Sequence, residues 1–389
     1  MREDFLLLNP GPVPVSRDVR NAMSEPMVSH RSSEFEAVYE RAQDGLDYVF
    51  ERSTLDEAET SAGGTSLILN GTATMGMEAA VANLTDEDSE VVAIVNGKFG
   101  RRFARIADRH ARVTRVEFDW GDPVDVDAVA DALSDSTDVV TMVHNETSTG
   151  LLNPVEAVGE LAAEHDARFV VDGVTSLGGD EFRIDDWYVD VAVTDGQKAL
   201  AAPPGISALY VSKRAEPHID GEKAPFYEDL DWHLRKADSH QTPFTSAVPL
   251  FRGLAVAVEE IRHEGMGERI ARHRRQSAAF RSAFEAMGLD LFPTVNDAST
   301  YSNTLTAVSL PEGVYGDPDD FMAAVEERGV SISGGQAHLG GEIFRVSNMG
   351  NLTGEHVLRG IRAIGESFEE VGVDVDTEDA LDAAREHLR

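Results

Sequence analysis

From about residue 66 onward, short apolar runs alternate with longer stretches in which apolar positions recur every three or four residues. The runs at 66–70, 90–95, 112–118, 138–143, 168–172, 189–194 and 207–212 read as strands, and 73–84, 100–110, 124–133 and 154–165 read as helices. Strands in regular alternation with helices predict an α/β fold built on a mainly parallel sheet covered on both faces. In such sheets ligands gather at the carboxyl ends of the strands, where Asn70, His144, Asp172 and Asp195 all stand.

Past Pro249 the pattern becomes a long helical stretch, followed by strands near 304–310, 330–333 and 343–347 and helices near 318–328 and 354–370. The expected organisation is an amino-terminal segment over 1–14 packing near the site, a large unit over 15–255 and a smaller α+β unit over 256–389. The acidic stretch 371–389 reads as a frayed helix. No internal repeat or low-complexity linker interrupts the chain.

Composition narrows the function classes. Among 389 residues, 70 acidic against 34 basic side chains give a net charge of −36, spread from end to end, and a nucleic-acid partner would be repelled. Only five lysines occur. Distributed acid with depleted lysine points to adaptation to concentrated salt, which screens the self-repulsion. The absence of cysteine rules out disulfides, thiolate metal sites and cysteine nucleophiles. No metal site is expected: the histidines show no helical ligand pair, and His263 and His273 read as solvated. The apolar run near the amino terminus is too short for a signal peptide or a membrane anchor, so a cytoplasmic protein is expected.

Among the lysines, Lys198 alone has small and apolar neighbours, with Pro203-Pro204-Gly205 close behind it. A lysine beside a strand end can condense with an aldehyde cofactor, and a buried aspartate such as Asp172 can keep that cofactor's pyridine nitrogen protonated. The pair suggests pyridoxal phosphate chemistry. An oxidoreductase binding a dinucleotide would need a GxGxxG turn after the first strand, which is missing. A binding protein that had lost catalysis would be expected to lose the lysine or the aspartate.

Four stretches in one order carry a family resemblance: Asn70-Gly71-Thr72-Ala73-Thr74, His144-Asn145-Glu146-Thr147, Asp172-Gly173-Val174-Thr175 and Gly196-Gln197-Lys198-Ala199. With these, nearly the whole chain resembles the class V, fold type I pyridoxal phosphate aminotransferases, nearest the alanine:glyoxylate and serine:pyruvate branch and its archaeal broad-specificity relatives. The resemblance implies a seven-stranded sheet between helices, a smaller carboxyl-terminal α+β domain and a homodimer sharing its active sites. It implies that Lys198 is the covalent anchor and general acid/base, and that Asp172 binds the pyridinium nitrogen. Val174 and Phe99 would cover the two ring faces. Thr72, Ala73, Thr74 and Gln197 would hold the phosphate, and Thr147 would lie on the ring hydroxyl side. Thr242 or Thr245 would reach the partner's cofactor. Arg345 would grip the substrate α-carboxylate, with Gly11 passing close to the substrate. The implied reaction moves an amino group from alanine or serine to glyoxylate or pyruvate, with phosphoserine or aspartate as alternative donors. A lyase of the cysteine desulfurase kind would need the cysteine this chain lacks, and a kynureninase-type hydrolase is less similar.

Three departures from the family pattern stand out. Asp195-Gly196 replaces a serine that relatives often place ahead of the glutamine. Val346-Ser347-Asn348 alters the neighbourhood of Arg345. Arg31, in Ser29-His30-Arg31-Ser32, is reminiscent of an arginine that reads substrate phosphate in phosphoserine aminotransferases.

Overall fold

The computed structural model describes residues 5–389, so the first four positions of the expected amino-terminal segment lie outside the described residues. Seven strands form the central sheet: β1 (Thr65–Asn70), β2 (Glu90–Val95), β3 (Arg112–Glu117), β4 (Val139–Val143), β5 (Arg168–Asp172), β6 (Val191–Asp195) and β7 (Ile206–Val211). Their spatial order is β1-β7-β6-β5-β4-β2-β3. Only β7 runs antiparallel, to both β1 and β6. The alternating pattern thus becomes a mainly parallel α/β sheet, and its β-branched runs are buried along nearly their whole length except in the edge strand β3.

Helices cover the sheet: α1 (Ser33–Glu51), α2 (Ala73–Leu84), α3 (Lys98–Ala107), α4 (Val155–Glu164) and α5 (Val248–Glu264), the last followed by α6 (Met266–Ala286), which leads to the second cluster. Helix α1 starts where the Ser32 side chain accepts from the Phe35 amide, and it buries Phe35, Val38, Tyr39, Ala42, Leu46, Val49 and Phe50 on one face. That face packs on α5. At Gly45 a Cβ would stand 2.1 Å from the Val258 side chain, so only glycine allows the two helices this approach.

A second hydrophobic cluster gathers α6, α7 (Asp319–Glu327), α8 (Gly354–Glu370) and α9 (Thr377–His387) with a three-stranded antiparallel sheet around β10 (Ile343–Ser347), flanked by β8 (Leu305–Ser309) and β9 (Ser333–Gly334). Leu6 and Leu8 belong to this cluster, and Leu6–Leu7 pairs in parallel with Val330–Ser331.

Two expectations are corrected. Residues 377–387 do not fray: Asp376 caps α9 by accepting from the Asp379 amide, and Thr377, Ala380, Leu381 and Ala384 are buried. The stretch looks acidic overall, but its few apolar residues share one face, which is enough to dock it. His273 is not solvated. It is completely buried, its Nδ1 lying 2.8 Å from the Arg269 carbonyl one turn back on α6, and burial with two neighbouring arginines holds its pKa far below the ordinary value. His263 is exposed.

Candidate active site

The carboxyl ends of β4, β5 and β6 lie side by side, and the turns leaving them carry the candidate residues. Asp172 closes β5 with 4% of its surface exposed, and its Oδ1 accepts from the Val174 amide at 2.9 Å. Lys198 follows β6 and is 8% exposed, its ammonium donating to the carbonyl of Pro10. Burial raises the Asp172 carboxyl to about 7, with Glu146 adding to the rise and Lys198 and Arg102 opposing it. Burial and then the Arg345 charge lower the Lys198 amine to about 8, against the attraction of Asp172, Asp195 and Glu146. An acid raised and a base lowered in one cleft are what proton-moving chemistry near neutrality requires.

Gly11 lies directly over the lysine stem. A Cβ there would stand 2.7 Å from Gln197 Oε1 and 2.9 Å from Lys198 Cε, and its φ of +111° also suits glycine. Arg345, in the middle of β10 and 3% exposed, donates from Nη1 to the Thr147 carbonyl at 2.8 Å and from Nε and Nη2 to the Gly334 carbonyl at 3.1 and 2.8 Å. The Thr147 hydroxyl shares a hydrogen bond with Thr175 at 2.6 Å. Arg345, Thr147, Asp172 and Lys198 are therefore brought together from both hydrophobic clusters.

Helix α2 begins with its amino end beside the β6 turn. Its N-cap, Thr72, is exposed and makes no side-chain capping bond, while Thr74 accepts from Arg102 at 3.0 Å. Val174 and Phe99 are half-buried, and Arg102 covers the Phe99 ring with its guanidinium carbon 4.9 Å from the centroid. The two threonines left open by the sequence differ. Thr242 is 2% exposed and spends its hydroxyl on Phe244 O (2.8 Å) and Ser246 Oγ (2.6 Å), whereas Thr245 lies exposed on the surface. Arg31 holds their loop: it donates to Gln241 Oε1 and to the carbonyls of Thr242, Pro243 and Phe244 over 2.7–3.3 Å.

Three further residues escaped the sequence reading. Glu146, fully buried, accepts from the amides of Phe99 (3.1 Å), Gly100 (3.1 Å) and Ser148 (3.0 Å), so it caps α3 and fixes Phe99. Its signal was Gly97, where a Cβ would fall 2.3 Å from this carboxylate. Arg102 sits one turn after Phe99 on α3 but carried no distinguishing pattern. Arg269, without exposed surface, donates to the carbonyls of Gly178 and Ala199, each at 2.7 Å, and to Glu264 at 2.7 Å. It ties the turn after Asp172 to the turn after Lys198, a link between distant segments that no local spacing foretells.

Pyridoxal phosphate asks for a buried amine, a carboxylate for its ring nitrogen, walls for its ring faces and an anion seat. Lys198, Asp172, the pair Val174 and Phe99, and the start of α2 meet those demands.

Comparison with known proteins agrees with the geometry. The family model for Aminotransferase class-V matches residues 16–358. The chain is 35% identical to an uncharacterized aminotransferase of Methanocaldococcus jannaschii over 98% of this chain and 97% of that one. It is 31% identical to the L-aspartate–glyoxylate aminotransferase of Paracoccus denitrificans, over 98% and 95% of the two chains. The solved alanine–glyoxylate aminotransferase of a Nostoc species superposes with a TM-score of 0.81 at 30% identity, covering 99% of this chain and 95% of that one. On sequence and on fold, the chain belongs to the class V aminotransferases and is a pyridoxal phosphate-dependent transaminase.

Proposed function

We propose that this aminotransferase takes the amino group of a small amino acid, alanine or serine, and passes it to a 2-oxo acid, glyoxylate or pyruvate, in two successive half-reactions. The observation that carries the reading is the convergence of the buried Lys198, Asp172 and Arg345 at one corner of the sheet, with Gly11 pressed on the lysine stem. Glyoxylate as acceptor is supported by the names of two relatives of this chain.

Pyridoxal phosphate, when bound, supplies an electrophilic aldehyde and a ring that accepts electrons. The chain supplies the rest. The Lys198 amine, lowered to about 8, holds and returns the proton of the substrate α-carbon. The Asp172 carboxylate keeps the ring nitrogen protonated. Arg345 would hold the substrate α-carboxylate with its planar guanidinium and so orient the α-carbon toward the Lys198 amine. Val174 and Phe99 keep the ring flat and exclude water. Thr72, Ala73, Thr74 and Gln197 receive the phosphate at the positive end of α2, and Thr147 lies on the ring hydroxyl side.

We further propose a homodimer in which Thr245, rather than Thr242, reaches the neighbouring cofactor. Its exposure supports this, as do Phe226 (72% exposed) and Tyr227, which pack on Phe244 beside it. The division at 1–14, 15–255 and 256–389 is retained as a proposal that limited proteolysis tests. A salt-adapted setting, which the acid excess supports, and a cytoplasmic location are part of the proposal; among the described residues no helix is long and apolar enough to cross a membrane.

Phosphoserine is disfavoured because Arg31 commits its guanidinium to the 241–244 loop. Aspartate is the second reading. Lys98 is half-buried beside Arg102 and Arg345, which together with desolvation lower its pKa, and such a site favours a second substrate carboxylate. The deciding test follows the bleaching of the cofactor's visible band in high salt with alanine, serine, aspartate and phosphoserine in turn. Bleaching by alanine or serine is expected, and bleaching by phosphoserine alone would overturn the proposal.

A further inference from the structure

Asp195 is a departure from the family pattern that the proposed reaction leaves unused. It ends β6, is 3% exposed, and points its carboxylate at the start of α2: Oδ2 accepts from the Ala73 amide at 2.9 Å, and Oδ1 from the Gln197 amide at 3.4 Å. Ala73 is the first residue of α2, so this amide belongs to the group of helix-end donors that a phosphate would use. One buried carboxylate and one phosphate are therefore directed to the same donor, and two adjacent anions away from water repel strongly.

We infer that Asp195 occupies part of the cofactor's phosphate seat in the cofactor-free chain, and that loading the seat takes up one proton from solvent, shared by the Asp195–phosphate pair. The inference rests on the proposed phosphate position at the start of α2.

The surroundings favour protonation over expulsion. The charge that acts on Asp195 is Lys198 in its own turn, which favours the ionised form, while burial, the larger effect, opposes it. From α2 it meets the Ala73 amide, not a charge. Arg102 of α3 is engaged with Thr74 one residue further on, and Asp172 of β5 competes for the same Lys198. On β7, Ser207 pairs in register with Asp195 and so shares its face of the sheet. Ser207 is 1% exposed and its hydroxyl has no partner among the described residues, so it is available to a carboxyl group that leaves the helix end.

The test titrates pyridoxal phosphate, and separately pyridoxal, into cofactor-stripped full-length protein at about pH 8 in two buffers of different ionisation enthalpy, which counts protons taken up. Wild type should take up about one more proton with pyridoxal phosphate than Asp195→Asn does, and this difference should vanish with pyridoxal. Its affinity for pyridoxal phosphate, relative to pyridoxal, should also fall up to about tenfold per pH unit above the Asp195 pKa. That slope is read on wild type alone and holds even where the variant folds poorly. A normal visible band with equal proton uptake in both proteins, or with a flat wild-type slope, overturns the inference and leaves the proposed function standing. Failure of wild type to develop the band at all would bring down both.

Discussion

The corner that carries Lys198 and Asp172 and the loop that carries Thr242 and Thr245 are built on opposite plans. In the corner Lys198 and Asp172 are buried, Arg269 ties the turns behind them, Gly11 lies over the lysine stem, and the lysine faces the carboxylates of Asp172, Asp195 and Glu146 in the same chain. The loop is held by its own backbone contacts, with Arg31 on the carbonyls of Thr242 and Pro243 and Asn70 on that of Thr245, while the Thr245 side chain and the neighbouring Phe226 and Tyr227 face outward. The contrast fits the proposed roles: a group proposed to change protonation in a fixed geometry sits where packing over-determines it, and one proposed to serve a second subunit sits on the open surface.

Substitutions on the two sides should therefore differ in both size and kind. The largest effect is expected for Lys198→Ala, which should abolish the visible band and lower turnover about a thousandfold or more; an unchanged band would remove the corner from the chemistry. Asp172→Asn should lower turnover about a hundredfold or more. In the cofactor-free protein the same change should raise thermal stability above about pH 7. The sign follows from the raised folded pKa: the unfolded carboxyl ionises near 3.8 and the folded one near 7, so stability is lost as pH rises between the two and the loss is complete above about 7, whereas asparagine carries no such loss. Arg345→Lys should raise KM for the amino donor by about tenfold or more through loss of the paired hydrogen bonds, with a smaller change in kcat.

On the loop side, Thr245→Ala should weaken retention of pyridoxal phosphate by about fivefold, the worth of one hydrogen bond, and only under conditions where the chain self-associates. Equal loss from Thr242→Ala would erase the distinction drawn between the two threonines. A last, smaller test concerns pH. In cofactor-stripped protein the reaction of the Lys198 amine with pyridoxal should rise through about pH 8, where an ordinary lysine would wait for 10.5, because only the neutral amine reacts.

The central sheet was legible because its signal is local. Each strand is a short β-branched run, and each helix repeats its apolar residues at a turn's spacing, so the predicted 73–84 and 354–370 match α2 and α8 end to end. Asp172 and Lys198 were legible for the same reason, as they sit at strand ends within contiguous motifs. Long-range contacts were not. Nothing near Arg269 in sequence announces that its partners are the carbonyls of Gly178 and Ala199, and the capping role of Glu146 depends on a helix that begins nearly fifty residues earlier. The docking of α9 was missed because net charge was given more weight than the face shared by Ala380, Leu381 and Ala384.

The Arg269 clamp also bears on how the molecule could be taken apart. Its helix, α6, contributes Met266 and Ile270 to one hydrophobic cluster and Phe280 and Phe284 to the other, while its guanidinium closes the turn behind the reactive lysine. A fragment ending before α6 would keep all seven strands and both chemical residues, yet it would expose two carbonyls that nothing else in that fragment is positioned to satisfy. Split-protein designs that cut between α5 and α6 should therefore yield halves that regain the lysine's microenvironment only on reassociation, making cofactor colour a direct readout of complementation.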